Sequence, residues 1–384
     1  MANLKDAVEK NLQWFIHSGV MIPDNGLWGV AERLAVKHGN SALEKTLDAF
    51  PAWMDQGDSY VIEQRRADCN FQTAWLFLKA DQLFPGKDYG TVGRNILDFL
   101  YFRSGLLERS PDVPSPGNWN WSHIMRDNRL WFDDQSWCLH IQLKIADDFP
   151  ELDQKYQISR WAYTLAASLY SAVTDKSNQA RWCGKLELPH WGALTAMALA
   201  QAATGETGEK YTAFCREYFE NLDCPNVSET AYALIGAVNC AKKLDFDFFI
   251  RHAEKYAGMI VDKIDSETGI PPSEHQRETP VGKHLADLIY TVNWAVLGLR
   301  EYGLIAGNKY AAHVENMTAL LCKIQDRSEN LHFNGCWRGM YDVRSGTWGG
   351  GDLFEGGGSS IYTGWTNAPI SLILLHEYLG SSLF

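Results

Sequence analysis

Two consecutive carboxylates, Asp133 and Asp134, sit in the stretch Asn118-Trp-Asn-Trp-Ser-His-Ile-Met-Arg-Asp-Asn-Arg-Leu-Trp-Phe-Asp-Asp-Gln-Ser-Trp137. The pattern predicts a helix beginning near Asp127–Arg129. Asp134 then lies four residues after Leu130, three before Trp137 and seven before Ile141, on the apolar face. A carboxylate facing a core needs a partner or a raised pKa, and a raised pKa is what a general acid requires near neutrality. The helix dipole alone also favours acids in a first turn, with Arg126 or Arg129 as ion-pair partners. The flanking Trp131-Phe132 and Trp137 tip the reading toward a functional pair. Glycoside hydrolysis needs a second carboxylate to activate water or attack carbon. Asp68, in Glu63-Gln-Arg-Arg-Ala-Asp68, meets that need and equally fits a helix N-cap, with Phe71 and Trp75 on its face. Arg65 and Arg66 beside it suit either an anionic ligand or a solvated loop.

Other polar and aromatic residues gather in irregular segments. The stretch 271–287 holds Glu274, His275, Arg277, His284 and Asp287 after a Gly-Ile-Pro-Pro turn, with His284 and Asp287 one helical turn apart. Glu229, after Asn226-Val-Ser, reads as a helix cap. A late Gly-rich stretch interleaves Trp337, Arg338, Tyr341, Trp348, Glu355, Tyr362, Trp365 and Asn367, and it lacks the lysine and the preceding strand of a phosphate-binding loop. Of 15 Trp, 16 Tyr and 17 Phe, several lie among Gly, Asn and Ser, where rings serve as platforms for the C–H faces of sugars. The candidate binding set is therefore Trp119, Trp121, His123, Trp137, His190, Glu274, His275, Arg277, His284, Arg338, Tyr341, Trp365 and Asn367. No Ser-His-Asp order, nucleophile elbow or HExxH motif occurs.

These residues must be positioned by helices. Apolar residues recur with a 3.6-residue period and almost never alternate, predicting helices near 3–18, 26–38, 41–54, 68–84, 90–102, 129–147, 151–174, 189–203, 207–221, 227–243, 245–264, 281–303, 308–325 and 359–379. Asn40-Ser41 with Glu44 reads as a capping box, Pro189 as a first-turn proline, and Gly205 and Gly303 as stops. Short links alternate with long ones at 55–67, 103–128, 175–188, 265–280 and 326–358, and long irregular loops are uncommon unless functional. No fixed-period repeat and no Pro/Ser linker divides the 384 residues, so the expectation is one domain, 1–384, an all-α (α/α)6 barrel of helical hairpins. The net charge of −12 argues against nucleic acid. No apolar run is long enough to span a bilayer, and the polar N-terminus has no secretory core, which predicts a cytoplasmic protein. Eight scattered cysteines, none in a CxxC pair, predict reduced thiols, no zinc site and no cofactor.

The chain resembles the six-hairpin glycosidase superfamily, nearest to the unsaturated glucuronyl and rhamnogalacturonyl hydrolases and related helical β-glucuronidases. The resemblance is carried by Leu130-Trp-Phe-Asp133-Asp134 and Tyr362-Thr-Gly-Trp365-Thr-Asn367-Ala-Pro. It implies a catalytic aspartate at Asp133, where the helical face favours Asp134, and a second at Asp68. The family's His-Asp pair is absent, because Ala67 precedes Asp68. The resulting expectation is a hydrolase removing a terminal uronic acid or related sugar from an oligosaccharide, with an anionic substrate held by Arg and Tyr side chains. The rivals are a sugar 2-epimerase of the same barrel, with histidines His190, His275 and His284 as acid/base groups, and a non-catalytic carbohydrate-binding protein.

Overall fold

A computed structural model describes residues 3–124, 129–175, 177, 179–274, 282–350 and 355–384. Its helices are α1 (Leu4–His17), α2 (Leu43–Ala49), α3 (Ala67–Leu83), α4 (Tyr89–Asp98), α5 (Phe132–Asp148), α6 (Pro150–Tyr156), α7 (Ile158–Thr174), α8 (Pro189–Gln201), α9 (Gly205–Glu220), α10 (Val227–Lys243), α11 (Phe246–Lys263), α12 (Val292–Ala306), α13 (Ala311–Ile324) and α14 (Ala368–Leu379). Among the described residues, α3, α5, α8, α10, α12 and α14 pack in sequence, and α14 returns to α3, so the ring closes. These inner helices are buried on nearly every face, as helices without a polar side must be. Outer helices bury one stripe: α11 buries Phe249, Ala253, Tyr256, Ala257 and Ile260, the 3.6-residue period read from sequence. Each inner helix but the last hands over to an outer one by a short link, such as 84–88, 202–204 and 244–245. Most return connections are long, including 18–66, 264–291 and 325–367. The N-termini of the inner helices and the long loops therefore share one end of the barrel. This is the (α/α)6 barrel expected from the sequence.

The loops contain short strands that the helical period hides. β1 (Arg33–Val36), β2 (Trp53–Asp55), β3 (Ser59–Ile62) and β9 (Ser360–Tyr362) form an antiparallel sheet in the order β2-β3-β1-β9. β4 (Leu130–Trp131) pairs with β5 (Trp182–Cys183), and β6 (Leu285–Asp287), β7 (Met340–Asp342) and β8 (Thr347–Trp348) form a third sheet. The helix expected over 26–38 is thus a turn and β1. Gly29 has φ +71°, and a Cβ there would meet the Asn70 side chain at 2.4 Å, so the chain leaves helical geometry before Glu32. Tertiary pairing then overrides the helical propensity of Leu34 and Ala35, because all four β1 residues are buried between β3 and β9.

Other boundaries move for local reasons. The segment 41–54 splits into α2 and β2, with Ala42 rather than Ser41 at the N-cap. Gly205 starts α9 instead of ending α8, and α12 runs past Gly303 to Ala306. The segment 281–303 is helical only from Val292, since 285–287 is a strand, so His284 and Asp287 are not one helical turn apart. The segment 359–379 begins with β9 and a π-helical turn, Thr363–Asn367. All eight cysteines are free. Among the described residues no helix is long and apolar enough to cross a membrane, and no group of three or more His, Cys, Asp or Glu could hold a metal ion.

Candidate active site

Chemistry-bearing side chains collect in the first turns of the inner helices. Asp68 lies in the first turn of α3, Asp133 and Asp134 in that of α5, His190 in that of α8 and Glu229 in that of α10. Helix N-termini carry partial positive charge, which makes their convergence a natural seat for carboxylates. The hub is Arg66, the residue just before α3. Its guanidinium bonds Glu32 Oε1 at 3.0 Å and Asp68 at 3.2 Å through both Nε and Nη2, and the same Nη2 donates to Asp134 Oδ1. Three buried carboxylates therefore share one guanidinium. Asp133 has a different partner: His190 Nε2 lies 3.0 Å from its Oδ2, and its Oδ1 makes no hydrogen bond among the described residues.

These environments set the proton affinities. Burial pushes the Asp134 carboxyl well above the usual carboxylate range; Arg66 pulls it down, and Asp68 and Asp133 push it up again. Burial likewise raises Asp68 against the pull of Arg66, and Glu229 against that of His190. For His190, burial disfavours the imidazolium, but the hydrogen bond and charge of Asp133, with the charges of Glu229 and Glu355, outweigh it and raise the pKa. The cluster brings Glu32, Asp68, Asp133, Asp134, Glu229 and Glu355 together around Arg33, Arg66 and His190.

Aromatic rings wall this cluster. The His190 ring stacks on Trp191 at 4.9 Å and on Tyr232 at 4.7 Å, and meets Tyr290 at 5.8 Å and Trp365 at 5.4 Å. Trp365 arrives on the π-helical turn. Its neighbour Gly364 lies so close to α3 that a Cβ would meet the Cys69 Cα at 2.4 Å. Arg33 bonds Glu355 at 3.3 Å and lies 4.7 Å from the Tyr362 ring centre; the Tyr362 hydroxyl donates to Glu355.

The expected residues divide. Asp68, Asp133, Asp134, His190 and Trp365 come together. Trp137 lies deeper, packed on Trp294 and His140. Trp119 is fully buried against Phe71 and Tyr101, so it is a core ring and not a platform. Trp121 is partly buried, and His123 accepts from the Arg65 backbone N–H while burial and Arg65 lower its pKa to about 4. Arg338 is held by Asp326 and lies over Phe333, and Tyr341 is edge-on to Trp348, both outside the cluster. Glu274 lies 3.9 Å from Lys263, His284 adjoins Gly282, and Asp287 accepts from the N–H groups of Ile289 and Tyr290 ahead of α12. His275 and Arg277 lie outside the described residues.

Asn367 is a structural residue where a ligand contact was expected. Its amide donates to the Trp337 and Tyr362 carbonyls and accepts from Asn11 Nδ2 and the Trp337 N–H, which exhausts its capacity. Asn367→Ala is expected to cost at least about 2 kcal/mol, since it leaves several buried groups unpaired. A denaturant midpoint equal to the parent's would refute that.

Glu32, Arg33, Glu355, Tyr232 and Tyr290 were not singled out as site residues from sequence. Glu32-Arg33 resembles charge on a helix surface until β1 turns it inward. The adjacency of Tyr362 to the Gly-rich stretch was the available signal for Glu355.

No family model and no curated protein sequence matches the chain. Solved structures do match in shape. A sugar epimerase from a ruminal bacterium has a TM-score of 0.64 at 11% identity, covering 99% of this chain and 100% of its own. An unsaturated glucuronyl hydrolase specific for heparin has a TM-score of 0.61 at 12% identity, covering 99% and 98%. An α-1,6-mannanase of Salegentibacter, in a variant inactive through alanine at two consecutive aspartates and bound to α-1,6-mannotetrose, has a TM-score of 0.55 at 10% identity, covering 98% and 100%. The chain thus has the six-hairpin (α/α)6-barrel fold of known glycoside hydrolases and sugar epimerases.

Proposed function

We propose that the protein is a glycoside hydrolase acting on an oligosaccharide at the N-terminal end of the inner ring. Asp134 protonates the departing glycosidic oxygen. Asp133, paired with His190, faces the anomeric centre as the carboxylate that attacks it or activates water. Asp68 and Glu32 share Arg66 with Asp134, and burial raises Asp68 and Asp134. The observation that carries this reading is the unequal partnering of two adjacent aspartates: one guanidinium serves three carboxylates including Asp134, while Asp133 holds an imidazole of its own. Glycoside cleavage uses two carboxyls in different roles, one that gives a proton and one that attacks carbon or activates water. The consecutive aspartates whose replacement inactivates the mannanase add support.

Charge weighs against the anionic substrate expected from sequence. The cluster is rich in carboxylates, and Arg33 and Arg66 are already engaged by Glu355, Glu32, Asp68 and Asp134. Among the described residues both arginines of the cluster are engaged, so a uronate entering there would meet repulsion, and a neutral sugar fits better. Epimerisation needs a second imidazole opposite the first, and among the described histidines only His190 lies in the cluster. The test is a panel of neutral oligosaccharides, saturated uronides and unsaturated uronides, followed by chromatography of released sugars. Release from a neutral substrate, lost in Asp133→Asn, is expected. Isomerised sugar without hydrolysis would overturn the reading, and release confined to uronides would overturn its substrate half.

A further inference from the structure

We propose that Glu229, on the neighbouring inner helix α10, is a positioning residue that sets the charge around His190 and holds its imidazole aligned against Asp133. The inference rests on the division of roles between Asp133 and Asp134 argued above. Glu229 reads from sequence as a cap for its own helix, but Asn226 does that work, its Oδ1 accepting from the Glu229 N–H at 2.9 Å. The Glu229 carboxylate instead crosses to α8, where Oε2 accepts from the His190 N–H at 2.7 Å. Pro189 has no N–H, so the His190 N–H is the first donor of α8, and Leu188 at the N-cap has no side-chain acceptor. A fully buried carboxylate is a costly way to satisfy one N–H, which an asparagine or serine at the N-cap would satisfy. What the carboxylate adds over those is charge, placed beside the residue whose ring bonds Asp133.

The ring itself is held in place by stacking between Trp191 and Tyr232, with interplanar angles of 9° and 14°. Its charge is the remaining variable. Among the described residues, the groups that face it include Asp133 from α5, Glu229 and Tyr232 from α10, Tyr290 ahead of α12, Glu355 from the Gly-rich stretch, and the Trp365 ring ahead of α14. Three of these are carboxylates, and together they overcome the burial that would otherwise neutralise the imidazole. With His190 charged, Asp133 has its own counter-ion. Without it, the buried Asp133 carboxylate would lose the counter-charge that its hydrogen-bond partner supplies.

The experiment compares Glu229→Gln and Glu229→Asp, reading the His190 titration by NMR of labelled histidine together with kcat and KM. Glutamine keeps an acceptor for the His190 N–H and loses the charge; aspartate keeps the charge and shortens the reach. A structural cap would tolerate glutamine and suffer from aspartate. The proposal expects the reverse. In Glu229→Gln the His190 midpoint should fall by about one unit, and kcat should fall about tenfold or more with KM little changed. Glu229→Asp should recover most of both. An unchanged His190 midpoint in Glu229→Gln overturns the proposal even if the protein hydrolyses glycosides as expected. A lowered midpoint with unchanged kcat overturns the link to Asp133. The titration is read without substrate, so it stands apart from any failure to find hydrolysis.

Discussion

Asp134→Asn should lower kcat on an unactivated oligosaccharide by roughly 10²–10⁴, the range that a general acid contributes, while an aryl glycoside with an acidic leaving group loses far less. A good leaving group departs without protonation, so only the acid step is bypassed. Equal loss on both substrates would assign Asp134 to the other carboxylate role or to structure. The pH profile carries the same information with a definite sign. Burial, with Asp68 and Asp133, raises the Asp134 carboxyl well above the usual range, and the acid works only when protonated. Activity should therefore hold below that raised pKa and fall as pH rises through it, and the variant should lack this alkaline limb. Stability follows the same linkage: a raised carboxyl contributes most below the ordinary carboxylate range, and that contribution is lost as pH rises through the folded-state value. The Tm of Asp134→Asn relative to the parent should accordingly improve with rising pH.

The ring of helices was legible because inner helices have to be apolar on every side and outer ones striped, and both patterns survive in a single sequence. α10 falls at 227–243 as expected, and α3 and α5 fall within three residues of their predicted starts. Strands failed to show because each is two to four residues long and several are held by partners far along the chain, such as Arg33 opposite both Ile62 and Tyr362. The acids of the site were legible for a related reason: Asp68, Asp133 and Asp134 occupy first turns, where sequence signals are local. Their partners were not, since Glu32 meets Arg66 from 34 residues away and Glu355 meets Arg33 from 322 residues away. Trp119 and Asn367 misled in the opposite direction. Gly, Asn and Ser around them mark irregular backbone correctly, yet irregular backbone says nothing about which way a ring or amide points. Trp119 turns into the core against Phe71, and Asn367 knits α1 to the turn ahead of α14.

Arg66→Met is the substitution with the largest expected effect on stability. It leaves Glu32, Asp68 and Asp134 buried without the cation they share, and removing one partner of a buried ionic group typically costs about 3–5 kcal/mol. The loss should be greatest near neutral pH, because the penalty is that of ionised carboxylates. As pH falls, Asp68 and Asp134, whose carboxyls burial already raises, take up protons and need no counter-charge, so the gap in denaturant midpoint between parent and variant should narrow. Arg66→Lys should lie between the two: one ammonium retains the charge but cannot span three carboxylates as the guanidinium fork does. Adding Asp68→Asn and Asp134→Asn to Arg66→Met should recover much of the stability, a non-additivity that isolates the shared charge from lost packing. A pH-independent loss, unrelieved by those two changes, would mean that Arg66 acts through its stem and not as the charge around which the acids of the site are arranged.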